Sequence, residues 1–304
     1  MRVTLLGPQR APTVDRVARK LEPDGPIATI TAGWRERESE DAELDALLGS
    51  RSINLGLYRR WLHVGKQDRE FHDAELRLRE SLDEIQSLYL VRVEKALDAV
   101  AALQQSGASQ RRADEIADAI AAVRALDERH VSLVSDIYSE FYGTWRPQER
   151  PVIAGHRQQV VNIVGAAIAL VVAGGHVGTL SSLLRLFNVI GEAHGPVIAW
   201  SAGAMALTER IVLFHDRTPQ GPAAAEILEP GVAAIGGIVA LPHARTRLLI
   251  DDVDRMAVFA RRFAPARCVV LEPDTRFTLD GVGDFPDGVR FVGEDGRIRT
   301  SGTQ

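Results

Sequence analysis

A serine stands where an apolar run meets a string of small residues, in Pro196-Val197-Ile198-Ala199-Trp200-Ser201-Ala202-Gly203-Ala204. A strand that turns sharply into a helix lifts a hydroxyl at the turn above the sheet edge, and small neighbours let the backbone make the strained bend. The start of the helix adds a positive dipole and free N–H groups beside any negative charge that develops there. Ser201 is therefore a candidate nucleophile, with the free N–H groups of the helix start beside it. The pattern departs from G-x-S-x-G because Ala199 stands at the first glycine position. An ordinary strand-to-helix junction would read the same way.

Upstream, Val171-Val172-Ala173-Gly174-Gly175-His176 runs an apolar strand into paired glycines. Backbone without Cβ atoms can approach a substrate carbonyl closely, so this glycine pair is a candidate second half of an oxyanion hole. Gly174, His176 and Trp200 are expected around the substrate pocket. A packing turn or a phosphate turn is the bland alternative for this glycine pair.

A serine hydroxyl is a weak nucleophile unless a base takes its proton. His243 is the best candidate, since it ends the apolar run Ile238-Val239-Ala240-Leu241-Pro242, where a proline would terminate the ladder. His215 and His194 are weaker choices, and His130 falls in helical sequence. Asp216 is the favoured carboxylate to orient the imidazole, because it follows the strand-like Ile211 to Phe214 and could share a sheet edge with Ser201 and His243. Glu209, Glu226 and Glu272 compete with it; Glu209 is expected on the helix that the elbow opens.

The elements that must position these groups alternate between short apolar runs and helical stretches, the patterning of an α/β fold. Strands are expected at Val3 to Leu6, Ile27 to Ala32, Ile53 to Leu57, Ile168 to Ala173, Pro196 to Trp200, Ile211 to Phe214, Ile235 to Leu241, Cys268 to Glu272, Arg276 to Leu279 and Val289 to Val292. Helical patterns occupy Pro12 to Leu21, Ser181 to Glu192 and Asp251 to Phe263. From Asp68 the texture changes to two long amphipathic helices. The first carries Leu78, Leu82, Ile85, Tyr89, Ala96, Val100 and Leu103, and the second carries Ile116, Ile120, Val123, Leu126, Leu133, Ile137 and Phe141. A turn-like Ser106-Gly107-Ala108-Ser109 separates them, which reads as an antiparallel hairpin. The resulting division is 1–66 for the first part of an α/β domain, 67–143 for an inserted hairpin and 144–304 for the remainder with the candidate site. The hairpin is expected either to pack on itself or to serve as an arm for a homodimer or partner.

With 36 basic against 41 acidic residues among 304, the net charge of −5 supplies no broad basic footprint for nucleic acid. The single Cys268 cannot form an internal disulfide, and no Cys/His cluster has zinc-ligand spacing. No metal or organic cofactor is expected. The apolar run from Val164 to Ala173 is roughly half the length a bilayer needs, so a cytoplasmic protein without membrane contact is expected.

These pieces, taken in order, resemble the dipeptidase E and cyanophycinase family of serine peptidases. The resemblance rests on Gly174-Gly175, Trp200-Ser201-Ala202-Gly203-Ala204, Pro242-His243 and Leu271-Glu272-Pro273-Asp274-Thr275, and covers Ile168 to Gly281. It implies a fold like that of class I glutamine amidotransferases, a mostly parallel sheet flanked by helices, here with an added hairpin. It also implies Ser201 as nucleophile, His243 as general base, and an oxyanion hole from the backbone of Gly175 and Ala202. Asp216 occupies the place of the dipeptidase E-like acid, whereas proline stands at the position aligned with the acid of cyanophycinase-like members. His176 and Ala244 depart from the residues usual beside the glycine pair and the histidine, so the family's preference for aspartyl peptides does not carry over. Amidotransfer would need a cysteine in the elbow.

Two functional readings follow. In one, the chain is a hydrolase that cleaves a small peptide or amide through an acyl-enzyme on Ser201. In the other, it is a catalytically inactive member that binds a ligand or partner through the α/β domain and the hairpin.

Overall fold

The computed structural model describes residues 1–10, 12–21, 25–107, 109–217, 223–280 and 285–302. Ala108 of the expected hairpin turn and Gly281 at the end of the family resemblance lie outside them.

Along the chain, β1 (Arg2–Leu6) is followed by α1 (Val14–Ala18), β2 (Ile27–Ile30), α2 (Ala42–Leu47), β3 (Ser52–Asn54) and α3 (Leu57–Gln67). Three further helices then come without a strand between them, α4 (Arg69–Gln105), α5 (Gln110–Trp145) and α6 (Pro151–Ala166). The α/β alternation resumes with β4 (Ala169–Val172), α7 (Val177–Leu186), β5 (Val197–Trp200), α8 (Ala202–Ala206), β6 (Arg210–Leu213) and β7 (Glu226–Pro230). The last stretch holds β8 (Ile238–Pro242), α9 (Ala244–Arg247), α10 (Val253–Phe263), β9 (Arg267–Leu271), β10 (Arg276–Asp280), β11 (Arg290–Val292) and β12 (Ile298–Thr300).

A six-stranded sheet has the order β10-β1-β5-β4-β2-β3. Its strands run parallel except for β10, which pairs antiparallel with β1 at the edge. A parallel sheet covered on both sides demands strands that are apolar throughout, which is why ALVV at β4 and VIAW at β5 are buried at every position. Alternate residues feed two cores. Leu170, Val172, Val197 and Ala199 join the cluster that contains Leu180, Leu183 and Leu184 of α7 and Ile153, Val160 and Val164 of α6. Val171, Ile198 and Trp200 join Val14 and Ala18 of α1, Leu44 of α2 and Leu48 just past it.

A second sheet, β12-β11-β9-β8, and a two-stranded ribbon of β6 and β7 lie apart from the first in hydrogen bonding. The protein is thus a mixed α/β structure with a largely parallel sheet flanked by helices and a long helical hairpin. Among the described residues no helix is long and apolar enough to cross a membrane.

The hairpin spends much of its apolar stripe on its own chain. Tyr89, Val93 and Val100 of α4 and Ile120 and Val123 of α5 form one cluster with Met256, Phe259 and Phe263 of α10 and with Val239 and Cys268 of the second sheet. At its centre Arg262 donates to both oxygens of Asp127 at 2.7 Å, and the Tyr89 hydroxyl donates to Asp127 Oδ1 at 2.7 Å. Both charged side chains are 2% exposed, so each is the other's compensation for lost hydration. Asp68 starts α4 by accepting from the Phe71 N–H, and Arg150 holds the same carboxylate with two donors at 2.5 and 2.6 Å.

Helices α2, α3, α6 and α9 and strands β7 and β12 have no counterpart among the expected elements. Helix α6 is apolar along much of its length, so its helical period is faint, while β7 and β12 are short and carry charged residues. The expected strand at Ile53 to Leu57 ends at Asn54, because Gly56 in the left-handed region turns the chain into α3.

Candidate active site

Ser201 lies between β5 and α8 with φ 51° and ψ −123°. This conformation is costly for any residue with a Cβ, of order 1–3 kcal/mol, and persists only where the surroundings over-determine it. Here they do. The strand before it is fully buried, and the helix after it packs so tightly on the end of β4 that a Cβ on Gly203 would stand 2.4 Å from the Val172 carbonyl oxygen. The elbow foreseen in the sequence is therefore present in its backbone geometry.

The glycine pair follows β4, next to β5 in the sheet. A Cβ on Gly174 would meet the Ser201 Cβ at 2.9 Å, so only glycine lets this turn press against the serine. Gly175 has φ +122°, and a Cβ there would lie 2.4 Å from the backbone of Gly33. Among the described hydrogen bonds neither the Gly175 N–H nor the Ala202 N–H finds an acceptor, which leaves both available to a ligand oxygen.

His243 follows β8 of the second sheet and precedes α9, in the left-handed conformation at φ 59°, with its N–H bonded to the Leu271 carbonyl at 3.2 Å. Ser201 and His243 thus hang from different sheets, yet both line one cavity of about 490 Å³ together with Gly174, Gly175 and Trp200. Gly7, just past β1, makes the approach of the two sheets feasible. Its N–H bonds the Thr275 carbonyl at 2.9 Å, and any Cβ on it would overlap the Glu272 carbonyl. Burial lowers the His243 pKa below its ordinary value, as do the neighbouring cations Arg247 and Arg10, while the Glu272 carboxylate opposes them. A neutral imidazole able to accept a proton near neutral pH follows from that balance.

The expected partners of His243 do not all arrive. Asp216 is buried, but its oxygens accept from Arg255 at 2.5 and 3.0 Å and from the Leu249 N–H at 3.0 Å. No described hydrogen bond joins it to His243. The strand before Asp216 does not join the sheet that carries Ser201, because β6 pairs with β7 in a separate ribbon. Glu226 bonds Gln86 of the hairpin, away from the cavity lining. Glu209 lies beyond the end of α8 and accepts from the Gly237 N–H. Glu272 is the remaining competitor, and its charge does act on His243. It is almost fully buried, its Oε1 accepts from the Arg245 N–H at 2.9 Å, and its backbone closes a tight turn with Thr275.

His176 also departs from expectation. It does not line the cavity but caps α7, its Nδ1 accepting from the Thr179 N–H at 3.1 Å. Two contributors escaped the sequence reading, Arg10 and Arg247, which both line the cavity. Arg247 could have been found from its place four residues after His243. Arg10 could not, because only the fold brings the segment after β1 to this edge.

The chain matches no family model, and no curated protein matches it. Among solved structures it is similar to the crystal structure of a peptidase from an acI-B1 Actinobacterium. That likeness has 13% identity and a TM-score of 0.41, over 96% of this chain and 87% of that one. Likeness at this level carries no argument about activity.

Proposed function

We propose that the protein is a serine hydrolase of peptide or amide bonds, similar to the dipeptidase E and cyanophycinase family. The observation that carries this reading is the strained Ser201 elbow held against Gly174 in a cavity shared with His243. In this mechanism neutral His243 takes the Ser201 proton as Oγ attacks the carbonyl carbon, and the N–H groups of Gly175 and Ala202 receive the oxyanion. The tetrahedral adduct collapses as the imidazolium protonates the departing amine. Water, deprotonated by the same histidine, then releases the acyl group from Ser201. Glu272 is the carboxylate whose charge favours the imidazolium, acting across space and not through a hydrogen bond to the ring.

Incubation with a small fluorophosphonate followed by intact-mass analysis tests this. One adduct located on Ser201 and lost in S201A is expected. An unmodified wild-type serine after long exposure would refute an activated nucleophile. The second reading, a catalytically quiet binding protein, draws on one observation. No described hydrogen bond reaches either ring nitrogen of His243, and it is this reading that a failure of labelling favours.

A further inference from the structure

The turn after β2 repeats the backbone of the elbow. Arg35 has φ 58° and ψ −121°, within a few degrees of Ser201, and like Ser201 it is not a glycine. The two strands concerned, β2 and β5, flank β4 on either side. The Gly174–Gly175 turn is therefore clasped between two strained turns, with Ser201 against one side and Gly33 against the other.

A closed ring of contacts ties the Arg35 turn to this glycine pair. The His176 N–H donates to the Gly33 carbonyl at 2.7 Å. The His176 Nδ1 accepts from the Thr179 N–H at 3.1 Å and lies 3.0 Å from Thr179 Oγ1. Thr179 Oγ1 accepts from Arg35 Nε at 3.2 Å, and the chain from Arg35 back to Gly33 closes the circuit. Proton counting fixes the roles. Because Nδ1 accepts from a backbone N–H it carries no hydrogen, so the threonine hydroxyl can donate to it while taking the guanidinium N–H on its other lone pair.

We infer that Arg35 and Thr179 are positioning residues for the oxyanion hole, holding the Gly175 N–H in its relation to Ser201 without touching substrate. This rests on the serine-hydrolase reading of the site. Arg35 keeps a conformation that only glycine adopts freely, and what its side chain gains there is the bond to Thr179. The strain is retained where it locks a turn against a candidate donor, on the pattern of strain stored at functional sites.

The test uses the full-length chain and a fluorophosphonate probe, whose phosphoryl oxygen must enter the same hole. R35G preserves the backbone conformation and removes only the side chain; T179V removes the hydroxyl at nearly constant shape; T179S restores it. For R35G and T179V the labelling rate at Ser201 should fall about tenfold, short of the ~10²–10³ for deleting an oxyanion donor outright. The final extent of labelling and the pH midpoint of the rate should stay unchanged, and T179S should stay within about twofold of wild type by the same reasoning. A merely structural role would instead lower the labelled fraction and leave the rate constant of the folded molecules intact. R35G and T179V reacting at the wild-type rate, in a protein whose Ser201 is labelled, would overturn the inference alone. A wild-type chain that is not labelled at Ser201 would remove the hydrolase reading, and this inference with it.

Discussion

Replacing Gly174 by alanine places one methyl group at the point where the glycine turn meets the nucleophile. The new Cβ would stand 2.9 Å from Ser201 Cβ, 3.6 Å from Ser201 Oγ and 3.7 Å from the Ala202 nitrogen. Carbon atoms in contact prefer about 3.5–4.0 Å, so the two turns must separate by about 0.6 Å or more. Neither has slack. Ser201 is already strained, and the adjoining Gly175 is backed by Gly33 so closely that its own Cβ would lie 2.4 Å from that backbone. Gly174 itself is not among the positive-φ glycines, so alanine brings no conformational penalty and the effect isolates the contact. Overpacking of this kind costs about 1–3 kcal/mol of stability. Because a displacement of about 1 Å at a reacting group can cost ~10²-fold, a displacement of this size should slow acylation by about 10- to 100-fold. Fluorophosphonate labelling of G174A, with urea unfolding alongside, measures both quantities. Labelling at the wild-type rate with an unchanged unfolding midpoint would refute the claim that this glycine sets the distance to Ser201.

Other perturbations separate the roles of the charged residues. Since His243 must be neutral to accept a proton and its pKa is lowered by burial, Arg247 and Arg10, labelling should fall on the acid side with a midpoint below the ordinary histidine value. E272Q removes a charge that raises this pKa and should move the midpoint to lower pH, whereas R247Q should move it higher; a pH–rate series of the two variants checks the opposite signs. D216N should leave the labelling rate within about threefold of wild type but cost about 3 kcal/mol of stability, because it weakens the ion pair of a buried carboxylate with Arg255. D127A strands Arg262 without its partner at the seat of the hairpin and should cost about 3–5 kcal/mol, read as a lower urea midpoint and faster proteolysis between 69 and 145.

The elements that could be read from the chain are those whose signal is local. The elbow was legible because an apolar strand, a serine and a small-residue helix start are contiguous, and the glycine pair because a strand ran directly into it. The hairpin was legible from two long stripes of apolar residues with helical spacing. Helix α6 escaped because it is apolar along much of its length and shows little periodicity. The choice between Asp216 and Glu272 was not legible, for another reason. Asp216 follows one candidate strand and Glu272 ends another, and the chain cannot reveal which strands share a sheet. Pairing β6 with β7 carries Asp216 to Arg255, while β9 beside β8 carries Glu272 to the histidine.

The sequence by itself therefore determined the candidate nucleophile, the candidate oxyanion donors and the existence of an α/β fold with a long hairpin. Each of these depends on neighbours within a few residues or on a periodicity that hydrophobic burial imposes. Only the tertiary structure decided that the Glu272 charge bears on His243 while Asp216 pairs with Arg255, and that Arg35 matches Ser201 in backbone conformation on the far side of the glycine turn. Those outcomes depend on strand order, which sets β9 beside β8 and places β2 and β5 on either side of β4. Compaction of the whole chain selects them, and no local propensity encodes them.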